Sequence, residues 1–133
     1  MIRMTIGQVA RQTGVSVETI RYYEKEGLIN EPERSPSGYR QYQEETIKRV
    51  LFIQRAKEVG FTLKEISDLL LIQSKPDARC GDLLNKATLK VAQIEEKIHE
   101  LQRMKQSLQQ LTEECMSDSG LEDCPILDAL YAS

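Results

Sequence analysis

Residues 82–113 read DLLNKATLKVAQIEEKIHELQRMKQSLQQLTE, a stretch of 32 residues without Gly or Pro. Apolar side chains recur at every third or fourth position, which is the period of an α-helix with a single apolar face. These positions are Leu83, Ala87, Val91, Ile94, Ile98, Leu101, Met104, Leu108 and Leu111. The spacing in the middle of the stretch is typical of a coiled-coil seam. The stretch therefore predicts one long helix that pairs with a second helix.

The cysteines flank this helix, with Cys80 before it and Cys115 and Cys124 after it. Because a helix rises about 1.5 Å per residue, roughly 50 Å separate Cys80 from Cys115, and the two cannot share a ligand within one chain. An antiparallel second copy would place Cys80 of one subunit beside Cys115 and Cys124 of the other. The pattern predicts intersubunit sites in a homodimer. The alternative is three unrelated thiols, since free Cys is often simply buried.

The size and composition of the chain restrict the class of protein. A chain of 133 residues fits one small domain with a helical extension. No apolar run approaches the roughly 20 residues that span a bilayer, and no secretory signal is present, so we expect no membrane contact and a cytoplasmic location. An odd number of cysteines then indicates reduced thiols rather than a disulfide framework.

Charge is distributed unevenly along the chain, whose net charge is −3. Residues 1–60 contain ten Lys and Arg against eight Asp and Glu, whereas residues 61–133 contain eight against thirteen. The N-terminal half is therefore the candidate for a phosphate-binding surface, with a solvated mixed surface as the alternative.

The N-terminal residues predict a helix-turn-helix. Thr5 is placed to cap a helix over residues 5–13, and Gly14 suits the following turn because glycine readily adopts positive φ. Ser16 is placed to cap a second helix. Two helices joined by a tight turn are typical of DNA-binding domains, and an ordinary helical hairpin is the alternative.

The second helix has the composition of a recognition helix. Its inner side contains Val17 and Ile20, which we expect to be buried. Arg21 and Tyr22 are candidates to reach base edges and phosphates, because recognition helices present polar and basic side chains there. We expect one of Tyr22 and Tyr23 to pack in the core instead.

Residues 28–42 break the helical period and predict a small β-hairpin, or wing. Pro and Gly residues mark turns in this segment, and the alternation from Tyr39 to Tyr42 is typical of a short strand. Arg34 and Arg40 of the same segment are candidates to contact phosphates.

Two further helices follow the predicted wing. Residues 44–59 have helical periodicity, and Gly60 is placed to end that helix. Thr62 is placed to cap the next helix, with Glu65 completing a capping box. A linker at residues 74–77 separates this helix from the long one.

Six short runs of the sequence can be taken together. They are TIGQVA at 5–10, GV at 14–15, ETIRYYE at 18–24, GL at 27–28, GYR at 38–40 and GFTLKEI at 60–66. In combination they resemble one family, the MerR family of transcriptional regulators. The resemblance implies a mainly α chain: a winged helix-turn-helix domain, a long antiparallel coiled-coil dimerisation helix, and a short C-terminal metal-binding loop and helix. It also implies a regulator that is not an enzyme, and whose homodimer distorts double-stranded promoter DNA so that RNA polymerase can use it.

Carried over by position, the resemblance assigns DNA contacts to two groups of residues. The first group lies on the recognition helix and would contact the groove and backbone. The second lies on the wing and would hold flanking phosphates. The groups are Thr19, Arg21 and Tyr22, and Arg34, Tyr39 and Arg40.

The cysteine pattern resembles that of the mercury-responsive members, which implies Cys80, Cys115 and Cys124 as metal ligands. Soft thiolates favour a soft ion, and mercury(II), Hg2+, is satisfied by such a set, whereas structural zinc usually takes about four ligands. The zinc-sensing members carry an additional cysteine and a loop histidine, but here Met116 follows Cys115 and residues 116–123 contain neither. Pb2+, Cd2+ and Zn2+ remain alternatives, since lead- and cadmium-responsive members also use three cysteines.

The resemblance divides the chain by role. Residues 1–74 form the DNA-binding domain with a helical coupling segment at 44–72, residues 75–114 the linker and dimerisation helix, and residues 115–133 the metal-binding loop and terminal helix. A thiol-based metal carrier or a thiol enzyme is the alternative from another class. The chain has no Cys-x-x-Cys pair and its single histidine, His99, lies mid-helix, which argues against an enzyme. A carrier would leave the N-terminal half without a role.

Overall fold

The computed structural model of the chain describes residues 3–132. Its elements follow the expected order of a mainly α chain with a two-stranded wing. They are α1 (Ile6–Thr13), α2 (Val17–Lys25), β1 (Glu33–Arg34), β2 (Arg40–Gln41), α3 (Glu44–Glu58), α4 (Leu63–Ser74), α5 (Cys80–Glu114), a 3-10 turn (Leu121–Asp123) and α6 (Pro125–Tyr131).

Internal contacts divide the chain into two units, Met1–Ala87 and Thr88–Ser133, with the division inside α5. The division by role at residues 74 and 114 is a different kind of boundary, and it stays a prediction. The units are described separately below.

The helix-turn-helix is defined by local hydrogen bonds at the helix ends. The Thr5 hydroxyl accepts from the Gln8 backbone N–H at 3.2 Å, and the Gln8 side chain accepts from the Thr5 N–H at 2.9 Å, which completes a capping box. Gly14 ends α1 with φ of 72°. The Ser16 hydroxyl then accepts from the Thr19 N–H at 3.2 Å and starts α2. The two predicted caps and the predicted turn are confirmed.

A single apolar core joins α1 to α4 and the residue that follows β2. Burying a large apolar side chain contributes about 1.5–3 kcal/mol, so this core is the main source of stability in the unit. Val17, which we expected to be buried, is only half-buried, and Val15 in the turn joins the core cluster instead. The fully buried side chains are Val9, Ile20, Tyr23, Tyr42, Val50, Ile53 and Ile66.

The wing, residues 33–41, is short and is anchored to the beginning of the chain. Its strands pair Glu33 with Gln41 and Arg34 with Arg40. Met4 forms an isolated antiparallel bridge with Tyr42, in which the two backbone N–H···O distances are 2.8 and 2.7 Å. An isolated two-stranded hairpin is marginally stable in water, so these additional contacts hold the wing in place.

The next two helices lie close to their predicted positions, although α3 ends one residue before the predicted end at residue 59 and Ser74, predicted to begin the linker, is the last residue of α4. After α3 ends at Glu58, Gly60 turns the chain with φ of 102°. The Thr62 hydroxyl accepts from the Glu65 N–H at 3.2 Å, and the Glu65 side chain accepts from the Thr62 N–H at 2.9 Å. The predicted capping box of α4 is therefore confirmed.

Helix α5 is continuous over 35 residues, and it begins two residues earlier than predicted. Cys80 is therefore the first residue of the helix and does not precede it. The reason is local, because the Asp82 carboxylate accepts from the Arg79 backbone N–H at 2.9 Å and starts the helix there. No side chain of α5 is buried within the chain, and central apolar residues such as Ile94 and Ile98 are 41% and 47% exposed.

The segment after α5 turns twice before the end of the chain. The 3-10 turn at Leu121–Asp123 leads to Cys124, and Pro125 occupies the first turn of α6, where its missing N–H costs nothing. The short terminal helix is confirmed. Across residues 3–132, none of the helices combines the length and the apolar character that a membrane crossing requires.

Candidate nucleic-acid interface and metal site

Helix α2 separates its aromatic side chains into two environments. Tyr22 is 48% exposed and Arg21 is also exposed, whereas Tyr23 is 1% exposed. The Gln54 side-chain N–H donates to the Tyr23 hydroxyl at 2.7 Å. Burial raises the pKa of Tyr23, and the bond from Gln54 lowers it by less. Tyr23 is thus the core tyrosine, while Arg21 and Tyr22 are available to a partner.

Thr19, the third predicted contact of α2, lies half-buried in the first turn. Its hydroxyl is 2.8 Å from that of Ser16, so the side chain supports the start of the helix. A hydroxyl can donate and accept together, and this contact leaves Thr19 hydrogen-bonding capacity for a phosphate or a base.

The wing presents its predicted side chains unequally. Tyr39 is 73% exposed at the turn, and Arg34 is exposed while its guanidinium donates to the Gly38 carbonyl at 2.8 Å. Arg40 is half-buried, and its Nε lies 3.5 Å from a carboxylate oxygen of Glu24. The wing and α2 therefore meet through an ion pair, and the role of these residues in binding DNA stays a prediction.

Glu24 is the residue of this region that the sequence reasoning missed. Its side chain is 11% exposed, and its two carboxylate oxygens have different partners, Arg40 and the Tyr42 hydroxyl, which donates at 2.8 Å. One signal was present in the sequence. Glu24 lies one turn after the buried Ile20, and a charged side chain at an inward helical position requires a partner.

The pKa of Tyr42 is raised well above its usual value of 10.0. Burial is the largest cause, followed by the hydrogen bond to Glu24 and the negative charge of that carboxylate. The positive charges of Arg40 and Arg21 act in the opposite direction. The hydroxyl is therefore a neutral donor at physiological pH, and cations of both α2 and the wing lie within electrostatic range of it.

The cysteines occupy the two ends of α5 and the segment that follows. Cys80, at the first position of the helix, is exposed, while Cys115, directly after its end, and Cys124, directly before α6, are half-buried. All three are free thiols. Within residues 3–132, no three His, Cys, Asp or Glu side chains of one chain converge as metal ligands would. The participation of the three cysteines in a metal site stays a prediction.

Two family profiles match the chain. One, described as MerR HTH family regulatory protein, covers residues 4–71, which contain the helix-turn-helix and the wing. The other, described as MerR, DNA binding, covers residues 47–111 and extends into α5.

Relatives match over nearly the whole chain. The mercuric resistance operon regulatory protein of Bacillus cereus is 43% identical over 129 residues, which are 97% of this chain and 98% of that protein. The crystal structure of PbrR691 from Ralstonia metallidurans CH34 with lead(II) has a TM-score of 0.86 at 35% identity, covering 96% of this chain and 98% of that one. MerR of Bacillus megaterium MB1 with mercury(II) has a TM-score of 0.75 at 38% identity, covering 97% and 100%.

The environment of Tyr42 leads to a prediction about pH. Its pKa is higher in the folded chain than in the unfolded chain, so above pH 10.0 the unfolded state binds fewer protons and stability falls as pH rises. We expect this fall to be smaller in Tyr42→Phe, by about 1 kcal/mol between pH 10 and 11. Urea unfolding at several pH values measures it. Equal slopes for the two proteins would contradict the environment described for the hydroxyl.

Proposed function

The chain belongs to the MerR family of helix-turn-helix regulatory proteins and is a metal-responsive transcriptional regulator, and we propose that its inducer is mercury(II). It binds promoter DNA as a homodimer and acts with RNA polymerase at that promoter. Because the family consists of transcriptional regulators, a thiol enzyme is excluded as the function. The observation that carries the choice of metal is the set of free thiols at Cys80, Cys115 and Cys124 without a histidine nearby in sequence.

The second copy in the homodimer is supported by α5. Its apolar side chains lie on one face of an unbroken helix and are exposed in the single chain. In an antiparallel pair, the apolar face of α5 in each subunit would be buried against that of the other. Each apolar side chain buried in this way contributes at most about 1.5–3 kcal/mol. Antiparallel pairing also places Cys80 of each subunit at the end of α5 where Cys115 and Cys124 of the other lie.

Thiolates from both subunits couple metal binding to the geometry of the dimer. A ligand shifts a conformational equilibrium by as much as it binds one state better than the other. Metal held between subunits favours the dimer arrangement in which Cys80 and the opposite thiols are close. Since the dimer also holds DNA, that preference changes the shape of the promoter, and the energy needed for DNA deformation determines how well RNA polymerase uses it.

The donor set favours soft ions, mercury(II) among them, over zinc. Three thiolates satisfy mercury(II), whereas zinc would lack a good fourth protein ligand. Lead(II) and cadmium(II) also suit a thiolate set, and they are the second candidates. We place mercury(II) ahead of lead(II) because the two mercury-related proteins share more identical residues with this chain than the lead-bound regulator does.

A transcription assay tests the proposal directly. The template carries the promoter adjacent to the gene of this protein, with RNA polymerase and the homodimer present. Mercury, lead, cadmium, zinc and copper ions are compared at the same free concentration. We expect mercury to induce most strongly. Equal induction by zinc or lead would contradict the mercury assignment, and no induction by any of these metals would contradict metal sensing.

The intersubunit site leads to a second prediction, made with mixed dimers. Cys80→Ala and Cys115→Ala/Cys124→Ala homodimers should each lose tight mercury binding in the presence of an excess of a small competing thiol. Their heterodimer should regain one full site, because one subunit supplies Cys80 and the other supplies Cys115 and Cys124.

Mercury titration of the purified heterodimer, followed by thiolate-to-metal absorbance, measures the number of sites. The wild-type homodimer is the control and should bind two ions per dimer in this arrangement. If each site were built within one chain, neither mutant subunit could complete it. A heterodimer without a thiol-resistant site would therefore refute the intersubunit arrangement.

Arg21 leads to a third prediction, about DNA. Arg21→Ala should weaken promoter binding and lower the slope of log K against log salt by about one unit, because one phosphate contact is lost. Lys105→Ala, which removes an exposed cation of α5, is the matched control and should change neither quantity. Binding measured across a salt series decides the matter, and an unchanged slope in Arg21→Ala would remove Arg21 from the interface.

A further inference from the structure

The contact between α2 and the wing depends on one carboxylate. Glu24 lies near the end of α2, and its oxygens contact Arg40 of β2 at 3.5 Å and the hydroxyl of Tyr42, directly after β2, at 2.8 Å. A carboxylate that is 11% exposed is costly to bury without partners, because transfer of a charge out of water is unfavourable. The two partners therefore fix Glu24, and Glu24 in turn fixes them.

One part of the Arg40 side chain is buried and another part is exposed to solvent. Its Nε is buried and has no hydrogen-bond partner among residues 3–132, so the 3.5 Å ion pair with Glu24 is its polar contact. The side chain as a whole is 31% exposed, which means that its solvent-facing part lies elsewhere than Nε. Since the guanidinium is planar and has further N–H donors, holding Nε sets the plane in which the others are presented.

We propose that Glu24 is a positioning residue for DNA binding, which orients Arg40 so that the outer N–H groups of its guanidinium contact a DNA phosphate. The proposal rests on the DNA-binding part of the proposed function and not on the response to metal. Arg21 lies three residues before Glu24 on α2, so the two residues are neighbours on the surface of the helix. Arg21 would contact a phosphate directly, and Glu24 would support the phosphate contact of Arg40.

The short wing explains why such support is needed. Two residue pairs join β1 to β2. The hairpin is also held by hydrogen bonds within its turn, by the bridge from Met4 to Tyr42, and by the Arg3 side chain, which contacts the side chains of Glu33 and Gln41. None of these contacts involves the side chain of Arg40. Glu24 holds the side chain of Arg40, which would otherwise be free to rotate. Because this side chain is then ordered before DNA binds, the entropy cost of its phosphate contact is lower.

The opposite role of Glu24 is that of a competitor. A carboxylate beside Arg40 could neutralise the cation and compete with the phosphate, in which case removal of its charge would strengthen DNA binding. The positioning role predicts weaker binding after the same change. The sign of the effect therefore separates the two roles.

The experiment measures metal-free binding of the homodimer to the promoter duplex and to an unrelated duplex of equal length, across a salt series. We expect Glu24→Gln and Arg40→Ala each to weaken binding about tenfold, because each removes one charge-assisted contact, and to lower the salt slope by about one. The double variant should bind no more weakly than Arg40→Ala. Glu26→Gln, which removes an exposed carboxylate two residues after Glu24, is the control and should not weaken binding or lower the slope.

A second variant tests the proposal without changing Glu24. Arg40→Lys retains the charge, but the ammonium group has rotatable donors on a flexible chain, so the contact with Glu24 does not fix the direction of a second donor as it does in the planar guanidinium. We expect it to bind DNA as weakly as Arg40→Ala. Full affinity in Arg40→Lys would show that charge alone suffices, and it would overturn the proposal.

Three other results also overturn the proposal. They are unchanged or tighter binding by Glu24→Gln, an unchanged salt slope, and additive losses in the double variant. If the wild-type dimer binds neither duplex, the DNA-binding function fails and this inference fails with it. If the dimer binds DNA but mercury does not induce transcription, only the assignment of the metal fails, and the result for Glu24 stands.

Discussion

The organisation of this protein depends on one long helix whose apolar face is not covered by the rest of the chain. Helix α5 runs unbroken from Cys80 to Glu114, carries an apolar face along its length, and buries none of its side chains within the chain. Exposed apolar surface of this extent is a feature of interaction sites rather than of free surfaces. Cys80 belongs to one end of the helix and the other cysteines follow the opposite end, so in the proposed antiparallel pairing a second copy of α5 would also decide where the thiols meet. The proposed metal site and the dimer would then depend on the same helix.

The N-terminal unit is built on a different principle. Its helices are short, and each is defined by a capping residue and a few fully buried side chains, such as Val9 in α1 and Ile20 in α2. Isolated helices of this length are marginal in water, so tertiary packing supplies most of their stability. The side chains proposed to bind DNA, including Arg21, Tyr22 and Tyr39, are exposed and lie outside that packing. The rigid core therefore supports an exposed polar face, and Glu24 is the point at which the two are connected.

Sequence reasoning was most successful where local chemistry decides the structure. Thr5, Ser16 and Thr62 act as caps because their hydroxyls satisfy helix N–H groups nearby in the chain, and such contacts can be recognised from a few residues. The start of α5 was misplaced by two residues because Asp82 caps it through a side chain that periodicity does not reveal. Glu24 was missed because its partners lie 16 and 18 residues away, and pattern rules that follow one helix do not describe contacts between elements. The choice among soft metals could not be made from residue types either, since the same thiolates suit several ions.

Because the apolar face of α5 is exposed in the single chain, the stability of the protein depends on its concentration. A fold that is completed only by a second copy is stabilised by mass action, so its apparent stability increases with the concentration of subunits. At high dilution the dimer would separate into subunits whose long helix has lost its packing partner, and in the proposed arrangement Cys80 of one subunit would lose the Cys115 and Cys124 of the other. With the proposed intersubunit site, the apparent affinity for the metal would therefore also depend on the concentration of subunits.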